Sequence, residues 1–284
     1  MGTLLFLAPP IVACIILAGI LSYYGNHILS RGIIFIDIAV AQIAALGTMI
    51  GILLGFAENS ANAQLVSYVF TIIILAVFSF MRVRKQVLPQ EAIIGIFYCV
   101  ALGMALLLAE KIPGGSNYIT KTITGNVLWV TWKSVFNCLL LFIPVIIINL
   151  SMEKVLKKVS HGEMAGNSLA RTRMYDLIFY VTFGIVIVKS VPIMGIFLVF
   201  MLLIGPASIV RIFISSWKGR ILWSWVIGAV GSLLGIYISY SMNISNGPAI
   251  VSLIGIAAYL FAFARLFSSR TGRKTISNNQ ISTS

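Results

Sequence analysis

Apolar residues run through this chain in nine long blocks with short polar, glycine- or proline-marked breaks between them: Leu4–Tyr24, Gly32–Ala57, Ala63–Met81, Ala92–Ala109, Ser134–Leu150, Leu177–Val191, Ile193–Ile212, Ile221–Met242 and Ala249–Leu266. Most of these blocks hold about 17–22 residues, enough as α-helix at 1.5 Å per residue to cross the roughly 30 Å of a bilayer's hydrocarbon. The pattern predicts an all-α fold, a polytopic transmembrane helical bundle of nine spans. The shortest block is Leu177–Val191, with Lys189 near its outer end and Pro192 just beyond. A lysine so placed can snorkel to the interface. Eight full spans plus an interfacial N-terminal helix stay open as the alternative. No Lys or Arg precedes the first block as a cleaved leader would require, so the first helix is expected to be retained. The domain so predicted covers residues 1–267, and the polar segment 268–284 is expected to be a disordered cytoplasmic tail.

Composition closes off the soluble alternatives. Of 284 residues, 60% are hydrophobic and only 10% charged, and the mean hydropathy is +1.04. A water-soluble globule needs about 25% charged residues to cover itself. The longest stretches outside the blocks are 110–133 and 151–176, too short for a soluble catalytic domain. Cys14, Cys99 and Cys138 all sit inside apolar runs, so they form no disulfide framework or CxxC metal site and read as small membrane-core residues. The net charge is +13, which would suit a nucleic-acid binder until its distribution is seen. With the first loop on the cytoplasmic side, 16 of the 20 Lys and Arg fall inside the cell. That bias is the positive-inside rule, reinforced by anionic lipids of the inner leaflet. It places the N-terminus outside and the C-terminus in the cytoplasm, and it implies lipid, with no nucleic acid, as the partner of the charge.

Few positions are left to carry chemistry. Asp37 stands among Ile33, Ile34, Phe35, Ile36 and Ile38 in the second block. A carboxylate at the centre of a membrane helix costs about 2.5–3.5 kcal/mol on the insertion scale, a cost usually offset by a polar cavity or a partner. Snorkelling to the nearby cytoplasmic interface is the plainer reading. Gln42 lies about 140° around the same helix, on a shared broad side. Beyond it, Gly47, Gly51 and Gly55 recur every four residues and predict a flat groove for close helix packing. The eighth block repeats the device with Gly228, Gly231 and Gly235. No G-x-x-x-x-G-K-[ST] loop occurs, so any ATP-driven step needs a separate subunit. Acidic residues other than Asp37 lie at block ends or in the loop 151–176, which gives little material for a proton relay.

The same loop carries Ser160-x-x-Glu163, the spacing of a capping box, and predicts a short helix starting near His161. Small residues follow, then Arg171 and Arg173. The segment suits docking into a groove of another protein; an interfacial connector with basic lipid anchors is the plain alternative. His27 and His161 are expected at isolated loop positions and are not metal-site pairs by spacing.

Four segments in order resemble the ABC-3 family, the membrane subunits of bacterial zinc, manganese and iron ABC importers. They are Arg31 to Gly47 (RGIIFIDIAVAQIAALG), Glu91 to Leu108, the pair Gly125–Trp132 and Glu163–Ala165, and Val191 to Arg211 (VPIMGIFLVFMLLIGPASIVR); the turn Ser245–Val251 also matches. The resemblance spans residues 5–266 and implies a permease working as a homodimer. Two cytoplasmic ABC ATPase subunits would supply the ATP chemistry, and an extracytoplasmic metal-binding protein would deliver a divalent metal cation as substrate. It further implies that Glu163 and Ala165, with Arg173 and Asp176 following, lie on the coupling helix that contacts the ATPase. Leu169 stands where the family often has Gly. In the second helix the family often carries Asp and His four residues apart; aligned through Gly47, these positions hold Ile38 and Gln42, with Asp37 displaced by one. Asp37 and Gln42 are accordingly the expected transport-path residues and Asp37 the expected metal contact. A self-sufficient cation channel or secondary transporter fits the composition equally well, and a membrane scaffold is a third class.

Overall fold

The structure is a computed structural model that describes residues 2–58, 60–80, 88–161 and 169–281, with side chains over 6–58, 60–79, 88–161 and 171–265. Eleven α-helices follow one another: α1 Gly2–Arg31, α2 Ile36–Leu53, α3 Ala61–Phe80, α4 Gln90–Ala109, α5 Gly115–Thr124, α6 Trp132–Ser151, α7 Glu153–Ser160, α8 Leu169–Met194, α9 Ile196–Phe213, α10 Trp217–Met242 and α11 Asn246–Ile281. A single 3-10 turn, Val127–Trp129, precedes α6. Among the described residues nine helices are long and apolar enough to span a bilayer, all but α5 and α7.

Residue chemistry sorts these helices into an interior and a rim. Buried residues make up 72% of α2 but only 17% of the Asn246–Arg265 part of α11. The interior set α1, α2, α8 and α9 carries Asn26, His27, Asp37, Gln42, Asp176 and Ser190, all buried. The outer helices expose Val69 and Ile73 on α3, Ile96 and Leu107 on α4, Phe136 and Ile147 on α6, and Tyr259 and Leu260 on α11. In water so large an apolar surface would drive aggregation, whereas in lipid it is the solvated face. The Leu177–Val191 block belongs to α8, whose membrane-length part is Arg171–Met194 and mostly interior. Its shortness in the sequence comes from polar residues that the bundle, and not lipid, surrounds.

Lipid gives little hydrophobic drive for one helix to join another, so packing rests on close approach of small residues. A Cβ added at Gly47 would stand 2.9 Å from Ser67 Cα, and one at Gly51 would stand 3.0 Å from Ala63 Cα. These two glycines therefore set the α2–α3 contact, which Ser67 Oγ reinforces by donating to Ala44 O at 2.7 Å. Gly55 does not extend the groove as its spacing suggested. It lies past the end of α2 with φ +91° and open space around it, and it ends the helix where Phe56 N donates back to Gly51 O. Gly228 packs on Ala18, and Gly231 and Gly235 pack on Ile254 and Ile250.

At the outer end three backbones meet. Gly195 (φ +78°) is the one residue between α8 and α9, and a Cβ there would overlap the backbone of Thr124 and Gly125. Gly125 (φ +74°) faces Met194 and Gly195 with the same lack of room, and Gly247 faces Thr124 O. Asn126 N donates to Ile193 O at 3.2 Å and locks the junction.

Ser160 is the last residue of α7 and His161 is its C-cap; the short helix expected to start near His161 lies outside the described residues. His27 is not in a loop but buried within α1. The backbone of α11 is helical as far as Ile281.

Gly195→Ala and Gly125→Ala are each expected to lower the unfolding temperature of the detergent-solubilised protein. Left-handed backbone costs an L-residue about 1–2 kcal/mol, and here the added methyl has nowhere to go. Gly55→Ala carries the same backbone strain with open space, so its loss should be the smallest; equal losses at all three positions would show that crowding contributes nothing.

Candidate functional site

Two polar constellations lie at opposite ends of the interior helices. The outer one is a cavity of about 200 Å³. Ala44 and Ala45 of α2 make the room, because a larger side chain at either would fill it. Around them stand Thr48, Gln64 and Ser67 from α2 and α3, Tyr118, Lys121 and Thr122 from α5, and Glu58, Asn126 and the α8 residues Val188, Val191 and Pro192. α5 lies outside the spans and closes one side of this cavity; burial pushes the Tyr118 hydroxyl's pKa above the usual phenol value, so it stays protonated. The lining is chiefly hydroxyl and amide, with one carboxylate and one ammonium. Oxygen donors of this kind suit a hard cation better than a soft one.

Asp37 and Gln42 descend from this cavity along the same helix. Both are buried, at 2% and 6% exposure. Gln42 sits two residues before Ala44 and Asp37 seven before it, or about 10 Å nearer the cytoplasmic end at 1.5 Å per residue. Neither lines the cavity, so the polar chamber stops above them. Asp37 occupies the first turn of α2, where the unpaired N–H groups and the helix dipole favour an anion. It is enclosed by protein and does not snorkel, and its Oδ1 has no hydrogen-bond partner among the described residues. Next to it the α1–α2 turn is fixed by Glu91, whose Oε1 accepts from Ile34 N at 2.7 Å. Among the described residues no group of three or more His, Cys, Asp or Glu is placed to hold a metal ion.

The inner constellation was not visible in the sequence. Arg31, the last residue of α1, donates from Nη1 to Asp176 Oδ1 of α8 at 2.6 Å and from Nε to Ser160 Oγ of α7 at 3.0 Å. The side chains of Arg31 and Asp176 are 2% and 0% exposed. The guanidinium also lies 3.9 Å from the centroid of the Phe179 ring. One turn earlier, His27 Nδ1 is 2.9 Å from Ser160 Oγ. Asp176 is thus turned into the bundle, and does not present itself to an ATPase as expected of it. Arg173 is on α8 as well, where its carbonyl accepts from Ser79 Oγ at 3.0 Å. Glu163 and Ala165 lie outside the described residues. Arg31, His27 and Ser160 escaped notice because their partners are more than 120 positions away, and no short-range spacing marks such pairs. Thr48, Ser67 and Thr122 had a faint signal, as isolated hydroxyls in or beside apolar runs.

This architecture has known counterparts. The family model for the ABC 3 transport family matches residues 3–266. The manganese import system permease protein ScaB of Streptococcus parasanguinis is 23% identical over 277 residues, covering 96% of this chain and 95% of its own. The manganese transport system membrane protein MntC of Listeria innocua is 24% identical, over 94% of this chain and 92% of its own. Among solved structures, PsaBC from Streptococcus pneumoniae in complex with Fab contains a chain that superposes with a TM-score of 0.71 at 20% identity, over 90% of each chain. The match of the family model across nearly the whole length, with nine membrane-length apolar helices among the described residues, settles the placement: this chain is a multi-pass inner-membrane permease that belongs to the ABC 3 transport family.

Proposed function

We propose that the protein is the permease subunit of an ABC importer for a divalent metal cation, manganese or zinc, with iron a third member of the set. The observation that carries the reading is Asp37, an acid enclosed at the head of the most buried helix, with an unpartnered oxygen, below a polar chamber on the outer side of that helix. A binding protein outside the cell would release the ion into the chamber, where hydroxyl and amide oxygens replace part of its water. Gln42 and then Asp37 offer the next oxygens inward. A hard amide and a hard carboxylate favour manganese over zinc, which prefers nitrogen and sulfur donors, and manganese is the cargo in the printed names of the relatives ScaB and MntC.

ATP would be bound and hydrolysed on a separate cytoplasmic subunit that grips the segment between α7 and α8, with a second copy of the permease completing the pathway. The chamber is closed above Gln42, as alternating access requires of one of its states: the barrier between chamber and cytoplasm must move before the ion passes. The small contacts at Gly47 and Gly51 let α2 shift against α3 without unpacking side chains.

Asp37→Asn keeps the shape and removes the charge. It is expected to cut manganese uptake by the reconstituted complex by about tenfold or more, the effect of losing one charged contact, with the complex still assembling. Wild-type uptake by both Asp37→Asn and Asp37→Ala would take Asp37 out of the mechanism. Ala165→Arg should abolish co-purification with the ATPase subunit; retained binding would return the segment to a mere connector. Purified permease alone in liposomes should pass no manganese, and flux without ATPase or ATP would favour a channel or secondary transporter instead.

A further inference from the structure

Arg31 joins both flanks of the segment that the proposed ATPase would grip. Ser160 ends α7 on one flank, Asp176 lies two turns into α8 on the other, and both bind the same guanidinium, at 3.0 and 2.6 Å. Position 31 is fixed from a third side by the face of Phe179 at 3.9 Å. His27, one turn back on α1, holds Ser160 at 2.9 Å and rests edge-on against Trp217 at 4.7 Å. Trp217 is the first residue of α10 and is also met by His161 at 5.5 Å and Lys157 at 5.6 Å. Four helices of the inner end, α1, α7, α8 and α10, are therefore connected through two side chains of α1.

The cost of this arrangement argues that stability is not its purpose. A buried ion pair gains little over an apolar pair of similar volume, because removing both charges from water offsets their attraction. The cluster also leaves Arg31 Nη2 and His27 Nε2 buried without a hydrogen-bond partner among the described residues. Groups so arranged hold one of two packings and release it when an element is pulled, whereas interdigitated apolar side chains resist displacement in every direction. From Arg31 the path outward is short. α1 runs the full thickness of the bundle, touching α9 where Gly25 meets the backbone of Leu203 and α10 where Ala18 meets Gly228.

We infer that Arg31, with Ser160 and His27, is the positioning linkage that carries displacement of the segment between α7 and α8 into α1, and through α1 into α9 and α10, during transport. The inference rests on the reading of that segment as the ATPase grip. Arg31 touches neither ion nor nucleotide; it acts through α1. In this scheme α8 does not transmit alone, because α7 and α8 are bolted to the same α1 terminus.

The test uses the full permease–ATPase complex in proteoliposomes with the binding protein and manganese supplied, and reads manganese taken up per ATP hydrolysed. Arg31→Met/Asp176→Leu removes both charges, and an apolar pair of this size is expected to leave the unfolding temperature near wild type or above it. Uptake per ATP is expected to fall about tenfold, within the ordinary range of coupling between sites. Ser160→Ala deletes one hydroxyl only and should lower the same ratio severalfold. Wild-type uptake per ATP in the double variant would overturn the inference and leave the pair a structural contact. Should the double variant not fold, Ser160→Ala decides alone: a lowered ratio supports the linkage and an unchanged one overturns it. Failure of the wild-type permease to bind the ATPase would sink the functional reading itself, an outcome seen before any variant is made.

Discussion

Hydrocarbon offers no hydrogen bonds, and that constraint organises the molecule. Every backbone polar group inside the spans must find a partner within the protein, and buried side-chain polar groups are costly unless they do the same. The small hydroxyls do so locally: Thr182 donates to Ile178 O, Ser190 to Val186 O and Ser232 to Gly228 O, each one turn back along its own helix. The larger polar groups also reach across to other helices. Asn149 donates to Tyr24 on another helix, and Arg31, His27 and Asp176 gather around one junction. α1, α2 and α8 carry Asn26, His27, Asp37, Gln42 and Asp176 inward, whereas α9 is interior through apolar packing and α6 turns Asn149 inward from the rim.

The two ends of the bundle are held by different physics. Outside, backbone lies directly on backbone at Gly125, Gly195 and Gly247, and no side chain intervenes that could adopt a second rotamer. Such a junction moves as a unit or not at all. Inside, the junction is made of polar side chains, Arg31 bound to Asp176 and Ser160, and His27 bound to Ser160. A transporter that swings between two packings needs both kinds of contact, one to preserve the chamber's shape and one to be remade in each cycle. Asp37 stands between them, on the inner half of α2, close to the turn that Glu91 fixes.

The spans were legible because hydropathy over about 20 residues is a local property, and the membrane enforces it whatever the helix touches. Asp37 was legible for the same reason, as an exception to that rule. Gly47 and Gly51 showed their spacing, but Gly55 had the same spacing and a different use, since only the helix end at Leu53 decides that a third glycine turns the chain instead of packing it. Ser160 carried a capping signature, and among the described residues its hydroxyl meets Arg31 and His27, partners that no local spacing marks. Asp176 looked like a loop acid because its sequence neighbours are polar, and its burial depends on a residue 145 positions earlier.

By itself the sequence marked the apolar segments that become the nine membrane-length helices among the described residues, because lipid reads hydrophobicity segment by segment. Tertiary structure alone decided which spans form the interior, where the outer chamber opens, and that Arg31 ties α7 and α8 to α1. Those outcomes depend on which side chains meet across the bundle. No residue's identity or spacing records its distant neighbour.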